Sequence, residues 1–223
     1  MDVQLLTLKI VQTLRRDGLR AALRKCINNI KHDRSADDFD LRHGTDTGGI
    51  EPLWKFKIRS PNACFGSRYE VTQEQELADS VNFLKEDLEN FTFIDIGCGK
   101  GRTLLVAAKL GFKQMIGVEF AGELVEVART NLAKRQIANA VVLHVDAADF
   151  DFPDSNLVVY LYNPFSQEVL RKVVANLKAG CSKRLYVIYK GQQCAEIFDS
   201  SSFLRRFGSS PTARHIQIWR AVG

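Results

Sequence analysis

Phe93-Ile94-Asp95-Ile96-Gly97-Cys98-Gly99-Lys100-Gly101-Arg102 is the stretch that decides how the rest of this 223-residue chain is read. The apolar run 91–96 reads as a strand, three glycines follow at alternate positions, and from 102 the apolar spacing becomes helical. Glycine is needed where a main chain turns tightly or where a ligand must come within contact distance of it. The helix that follows presents unpaired N–H groups and positive dipole density to whatever binds there. Asp95, at the end of the strand, is placed to orient the loop or a ligand's ammonium group. The stretch reads as a strand–turn–helix ligand cradle.

Outward from it, strand-like and helix-like segments alternate. A helix over 73–88, with Leu77, Val81, Leu84 and Leu88 on one side, precedes the first strand. After the helix at 102–110 come a strand at 114–120, a helix at 122–135, strands at 141–145 and 157–161, a helix at 167–177 and a strand at 185–189. These strands are rich in Val, Ile, Leu and aromatic residues with little polar alternation, the pattern of parallel strands covered on both faces. Two last strand candidates, 203–209 and 215–222, lie around Gly208, Ser209, Ser210 and Pro211, too close together for a crossover helix, so an antiparallel hairpin is expected. The fold class expected is α/β: a Rossmann-like, doubly wound, mostly parallel sheet ending in an antiparallel hairpin, with a helical extension at the N-terminus.

Three regions follow. Residues 1–31 form an amphipathic helical extension, in which Val3, Leu6, Ile10 and Leu14, then Leu19, Ala22, Cys26 and Ile30, recur at helical spacing on either side of Gly18. Residues 32–72 are an irregular connector rich in Asp, Gly and other turn formers, and a connector of that length suggests a binding lid or a disordered segment. Residues 73–223 make up the α/β domain. Hydrophobic residues are 45% of the chain and charged residues 26%, an ordinary globular balance.

The formal net charge is +5 and the excess is concentrated in residues 1–35. A basic face attracts nucleic acid or anionic lipid through long-range electrostatics, and its plain alternative is a solvated helix face. Five widely spaced cysteines, an odd number with no CxxC pair, argue for reduced thiols in the cytoplasm and against a structural zinc site; no metal site is expected. No run approaches the roughly 18–20 apolar residues of a membrane span. The opening stretch has charges within its apolar run and no small-residue cleavage site, so it does not read as a secretory signal.

A dinucleotide site calls for G-x-G-x-x-G, and here the position of the third glycine is Arg102. The spacing present, Gly97, Gly99 and Gly101, resembles the first motif of class I S-adenosylmethionine-dependent methyltransferases, with Cys98 as a small filling residue of the loop. Glu119, followed by Phe120, ends the second strand 24 residues beyond Asp95, where a carboxylate reaches ribose hydroxyls. Asp146 ends the third strand in His-Val-Asp-Ala-Ala-Asp-Phe. The resemblance implies that this acid receives the adenine amino group while Ala147 lines the adenine slot, with Asp149 as a substitute.

The fourth strand ends in Tyr160-Leu161-Tyr162-Asn163-Pro164-Phe165. This resembles the Asn-Pro-Pro-Tyr/Phe motif of methyltransferases acting on planar nitrogens, with one proline where that motif has two. The resemblance implies Asn163 and Tyr162 for acceptor positioning, Asn163 also beside the cofactor, and Phe165 as a wall. The turn-forming reading of Asn-Pro stands beside it. His43-Gly44-Thr45-Asp46-Thr47-Gly48-Gly49 and the segment 60–72 together resemble bacterial class I members of unassigned substrate. Tyr69-Glu70-Val71-Thr72 is similar to a Tyr-x-Pro-Thr/Ser segment that folds over the cofactor in some protein-lysine methyltransferases, with Val71 in the proline's place. It makes Tyr69 and Thr72 candidate lid residues.

The activity so implied is methyl transfer from S-adenosylmethionine to a nitrogen acceptor, a protein side chain or a small molecule. A neutral amine needs little proton removal before attack whereas a hydroxyl usually needs a base, and no histidine ends a strand here. His43 is the nearest by way of its loop, and His144 is expected in the core. The rivals are a nicotinamide or flavin oxidoreductase and a non-catalytic cofactor-fold module binding RNA or lipid through its basic helix.

Overall fold

The computed structural model describes residues 37–180 and 183–222, together with Thr7, Leu8, Val11, Leu14 and Arg15. Apart from those five residues, which are helical and exposed, the expected extension over 1–31 lies outside the described residues. Leu14, assigned to its apolar stripe, is 38% exposed.

A seven-stranded sheet runs β5-β4-β3-β6-β7-β9-β8. Its strands are β3 (Thr92–Ile96), β4 (Gln114–Glu119), β5 (Ala140–His144), β6 (Leu157–Tyr162), β7 (Leu185–Lys190), β8 (Leu204–Ser209) and β9 (Ile216–Ala221). The first five are mutually parallel, and β9 is antiparallel to both β7 and β8, with a bulge between Arg206 and Gly208. The chain steps from β3 out to β5 on one side and returns to lay β6 and β7 on the other. The order therefore reverses between β3 and β6, which opens a crevice at the carboxyl ends of the central strands.

Helices cover both faces. On one, α2 (Glu74–Asn82), α3 (Arg102–Leu110) and α4 (Gly122–Lys134) bury Leu77, Leu104 and Val125 against β3, β4 and β6; on the other, α5 (Gln167–Gly180) and α6 (Ala195–Asp199) bury Val173 and Phe198. The expected α/β order holds, with differences at particular elements. The helix expected over 73–88 stops at Asn82, because Lys85 adopts a left-handed φ of 54°, and Leu88 instead begins a short 3-10 turn. α6 carried no strong signal, having only five residues. His144 is exposed and not in the core: β5 is an edge strand, one face of which is open, and its Nε2 lies 3.1 Å from the Phe120 carbonyl.

The connector is irregular but well anchored. It holds α1 (Asp38–His43) and the two-stranded pair β1 (Ile50–Glu51) and β2 (Tyr69–Glu70). Asp40 is its hub: the carboxylate accepts from Thr45 Oγ1 and from the main-chain and side-chain donors of Thr47, and from Gly48 N, at 2.6–2.8 Å. Such an array satisfies a buried charge that would otherwise be costly. Arg102 and Lys100, both buried, reach up from the start of α3 to Asp37 and Asp46, at 2.7 and 2.8 Å. Asn131 of α4 closes the frame by bonding Asp46 through its main-chain N–H and carbonyl. The Gly-Thr-Asp-Thr-Gly-Gly stretch is thus bolted to the glycine loop, and it leads into a roof over the crevice.

Candidate active site

A cavity open to solvent lies at the carboxyl ends of β3, β4 and β6, floored by Gly97, Val118 and Glu119 and roofed by Leu53, Asn62 and the segment 66–70. Three groups of residues shape it.

The glycine turn comes first. At Gly97, φ is +82° and a side-chain carbon would fall 2.9 Å from Pro164 Cβ; at Gly99, φ is +53° and such a carbon would fall 2.3 Å from the ring of Tyr69. Both positions need glycine for conformation and for room. Gly101 packs against Ala128 of α4 at the entry to α3. Cys98 turns inward, its sulfur against Gly117, and burial pushes its thiol up, so it fills the core and does not border the cavity. Asp95 is also beneath the cavity floor. Its carboxylate accepts from Thr103 Oγ1 of α3, and burial, with the Glu119 charge adding and the Thr103 bond opposing, pushes it up to about 7. Its position ties the strand end to α3.

Two carboxylates border the cavity at its far end. Glu119 is buried and accepts from Gly99 N at 3.0 Å and Ala121 N at 2.9 Å; burial raises its pKa against those bonds. Phe120 beside it meets the roof at Gly66. Asp146, just past β5, accepts from Ala148 N at 2.9 Å, Asn62 Nδ2 at 3.0 Å and the Ser60 hydroxyl. Ala147 lines the wall next to it, while Asp149 is exposed and outside. Between the two acids the lining is apolar: Leu53, Val118, Leu124 and Val145.

The third group is the end of β6. Tyr162, Pro164 and Phe165 line the cavity, and the roof pairs with them: Ser67 N donates to Pro164 O at 2.8 Å and Ser166 N to Phe65 O at 3.0 Å. Asn163 does not line it. With φ at +38° its amide turns aside, and Oδ1 accepts from the Tyr189 hydroxyl at 3.0 Å. Burial, with the charges of Glu70 and Glu76, pushes the Tyr162 hydroxyl up to about 12. Tyr69 lies over Gly99 with its hydroxyl donating to Thr47 O, and Thr72 is buried against the Tyr160 hydroxyl at 2.9 Å, behind the wall. His43 stacks on Phe39 within α1, away from the cavity.

A family model described as "Methyltransferase domain" matches residues 87–205, more than half of the chain. The chain belongs to this family of S-adenosylmethionine-dependent methyltransferase domains. The ribosomal protein L11 methyltransferase of Thermotoga petrophila is 32% identical over 117 residues, 50% of this chain and 43% of that protein. The protein of the same name from Shewanella sp. (strain ANA-3) is 26% identical over 165 residues, 73% of this chain and 53% of that protein. The chain spans about half the length of these curated relatives. Among solved structures, the magnesium protoporphyrin IX methyltransferase of Synechocystis with bound SAM matches with TM-score 0.52 at 18% identity, covering 67% of this chain and 78% of that one. The RNA methyltransferase of Salinibacter ruber in complex with S-adenosyl-L-homocysteine matches with TM-score 0.53 at 21% identity, covering 68% and 92%. At these identities the likeness to the solved structures is one of fold.

N-terminal to the matched methyltransferase domain, several cavity residues were not singled out by the sequence: Leu53, Asn62, Ser67, Arg68 and Glu70. All belong to the connector, where no periodicity ranks one residue above another. Its signals were length, since a long connector beside a glycine loop has to cover something, and the Tyr69–Thr72 resemblance, which reached Tyr69 but none of these five. Among the described residues there is no metal-ligating cluster and no helix long and apolar enough to cross a membrane.

Proposed function

We propose that this chain transfers a methyl group from S-adenosylmethionine to a nitrogen acceptor, a protein side chain or a small amine. The observation that carries the reading is that Glu119 and Asp146 border one largely apolar slot, next to a glycine turn whose own residues add no side chains and which Tyr69 covers from above. The slot fits an adenosyl group chemically: apolar walls for the base, a carboxylate for a ribose diol at the end of β4, and a carboxylate for an exocyclic amine past β5. When bound, the cofactor supplies an electrophilic methyl group on a sulfonium.

The chain's own task is positioning. Glu119, fixed by two main-chain N–H groups, offers its oxygens at a set height above the floor. Leu53 and Phe120 narrow the slot around Gly66, and Tyr69 closes the glycine turn from above, which keeps water from the reacting atoms. Tyr162 and Phe165 form the wall on the acceptor side. Holding two reactants at near-contact distance and in line is worth roughly 7–11 kcal/mol of barrier. In this reading residues 73–223 carry the chemistry and 32–72 supply the roof, and the thiols Cys64, Cys98 and Cys194 suit a reducing cytoplasm.

Titration calorimetry with S-adenosylhomocysteine and, separately, with NADH tests the reading. Saturable one-to-one binding of the first, weakened in Glu119→Ala, is expected. Binding of NADH in its place would move the chain to the oxidoreductases.

A further inference from the structure

We infer that Glu70, carried on the roof beside the Tyr162 hydroxyl, binds the acceptor as a cationic aliphatic amine. This rests on the methyl-transfer reading above and narrows its substrate class.

The argument begins with the oxygens that a planar amine would need. A flat exocyclic amino group is gripped by acceptors at the end of β6, and the candidates there are Asn163 Oδ1 and Pro164 O. Both are engaged. Asn163 Oδ1 accepts from Tyr189, and Gly191 approaches the Asn163 side chain so closely that an added carbon would fall 3.2 Å from its Cβ. Pro164 O accepts from Ser67 N, within a roof-to-loop ladder that also joins Gly66 to Phe165. Freeing either oxygen would break contacts that hold the cavity together.

A different group fills the same place. Three carboxylates border the cavity; Glu119 ends β4 and Asp146 follows β5, while Glu70 lies by Tyr162 at the end of β6. Arg68 reaches Glu70 Oε2 at 3.3 and 3.4 Å along the roof and fixes the direction of the carboxylate. Tyr162 is fixed as well. Lys190, buried, stands over its ring at 4.2 Å and is held by Glu76 at 2.6 Å, so the phenol cannot swing towards β7. With Phe165 the result is a passage ending in one phenol and one carboxylate, the latter sharing its charge with Arg68, which lines the cavity beside it.

Such a passage suits a lysine-like side chain. Its methylene stem packs on the rings and its ammonium meets Glu70, which offsets the several kcal/mol that desolvating a cation costs. Before attack the ammonium gives up one proton to solvent. The neutral nitrogen's lone pair then forms the N–C bond as the S–C bond breaks, so positive charge passes from sulfur to nitrogen. A carboxylate beside the nitrogen stabilises that transferred charge more in the transition state than in the neutral ground state.

The experiment uses the full chain, tritium-labelled S-adenosylmethionine, and two probes, poly-L-lysine and an oligoadenylate. S-Adenosylhomocysteine affinity is measured in parallel on each variant. Label is expected in poly-L-lysine, with kcat/KM falling by about tenfold or more in Glu70→Gln at unchanged S-adenosylhomocysteine affinity, and partial recovery in Glu70→Asp. Label entering the oligoadenylate alone overturns the inference, and so does a Glu70→Gln variant as fast as the parent. Cofactor binding with no transfer to either probe overturns it too while leaving the methyltransferase reading in place. Failure to bind S-adenosylhomocysteine at all sinks that reading instead.

Discussion

The ring of Tyr69 lies on Gly99: a side-chain carbon added at position 99 would fall 2.3 Å from Cδ2 and Cε2 of that ring. Roof and floor therefore meet at the glycine turn itself, and the two cannot be altered independently. Gly99→Ala would have to displace Tyr69 while also holding alanine at φ +53°, a strain on the order of 1–3 kcal/mol. The expected outcome is a lower melting temperature together with a loss of S-adenosylhomocysteine affinity of about tenfold or more. Tyr69→Ala in the Gly99→Ala background should recover stability but not affinity. A double variant no more stable than Gly99→Ala would show that the ring contact is unimportant.

Glu119 stands where the turn and the cavity share one side chain. Each of its oxygens accepts from a main-chain N–H, of Gly99 and of Ala121. Removing the carboxylate leaves two buried donors without a partner, at about 1–3 kcal/mol for each. Glu119→Ala should thus lose both stability and cofactor affinity. Glu119→Gln keeps one carbonyl oxygen and should lose affinity with a smaller change in melting temperature. Equal affinity in Glu119→Gln and the parent, measured by calorimetry, would remove the carboxylate from the ribose site.

These couplings also mark what could be read from residues alone. The glycine turn, the parallel strands and the acids ending β4 and β5 were legible because buried strands leave long apolar runs with a polar residue at each end. The hairpin followed from a connection too short for a crossover helix, whereas the sheet order came only with the structure. Of the roof only Tyr69 was legible, through its motif: Leu53, Asn62 and Glu70 gain meaning only from residues far along the chain, such as Asp146 and Tyr162. Asn163 shows the converse. Its motif position singled it out, yet the partner that turns it aside is Tyr189 on β7, and no local pattern announces that bond.

Arg102 also gained a role from distance. It stands where a dinucleotide fold would have its third glycine, and its guanidinium rises to Asp37 and stacks 4.5 Å above the Phe39 ring. Arg102→Ala would leave the buried Asp40 short of a cation and take the partner from the part-exposed Asp37, a destabilisation of about 2–4 kcal/mol, because a buried charge is left uncompensated while the exposed one is screened by solvent. Limited proteolysis should then cut between 37 and 57 faster than in the parent. Protection equal to the parent's would mean that the connector is held by Lys100 and Asn131 without Arg102.

Asp95 gives the chain a pH dependence of unusual sign. Its folded carboxyl titrates near 7 because burial disfavours the charged form, while the unfolded chain releases that proton near 3.8. Between those values the native state holds the extra proton, so stability is greatest below about 4 from this group and declines as pH rises towards 7. The loss is at most about 4 kcal/mol, since one pKa unit is about 1.4 kcal/mol. Glu119, raised by burial as well, acts in the same direction. Asp37, Glu74 and Asp199 are lowered by Arg and Lys partners, so their contribution is lost only as pH falls through their depressed folded values, and between pH 5 and 8 it stays level. Urea unfolding should therefore show a lower midpoint at pH 8 than at pH 5. Asp95→Asn, whose amide oxygen can still accept from Thr103, should narrow that difference. A parent protein more stable at pH 8, or an Asp95→Asn variant with an undiminished difference, would mean that Asp95 is ionised in the folded chain well below neutrality.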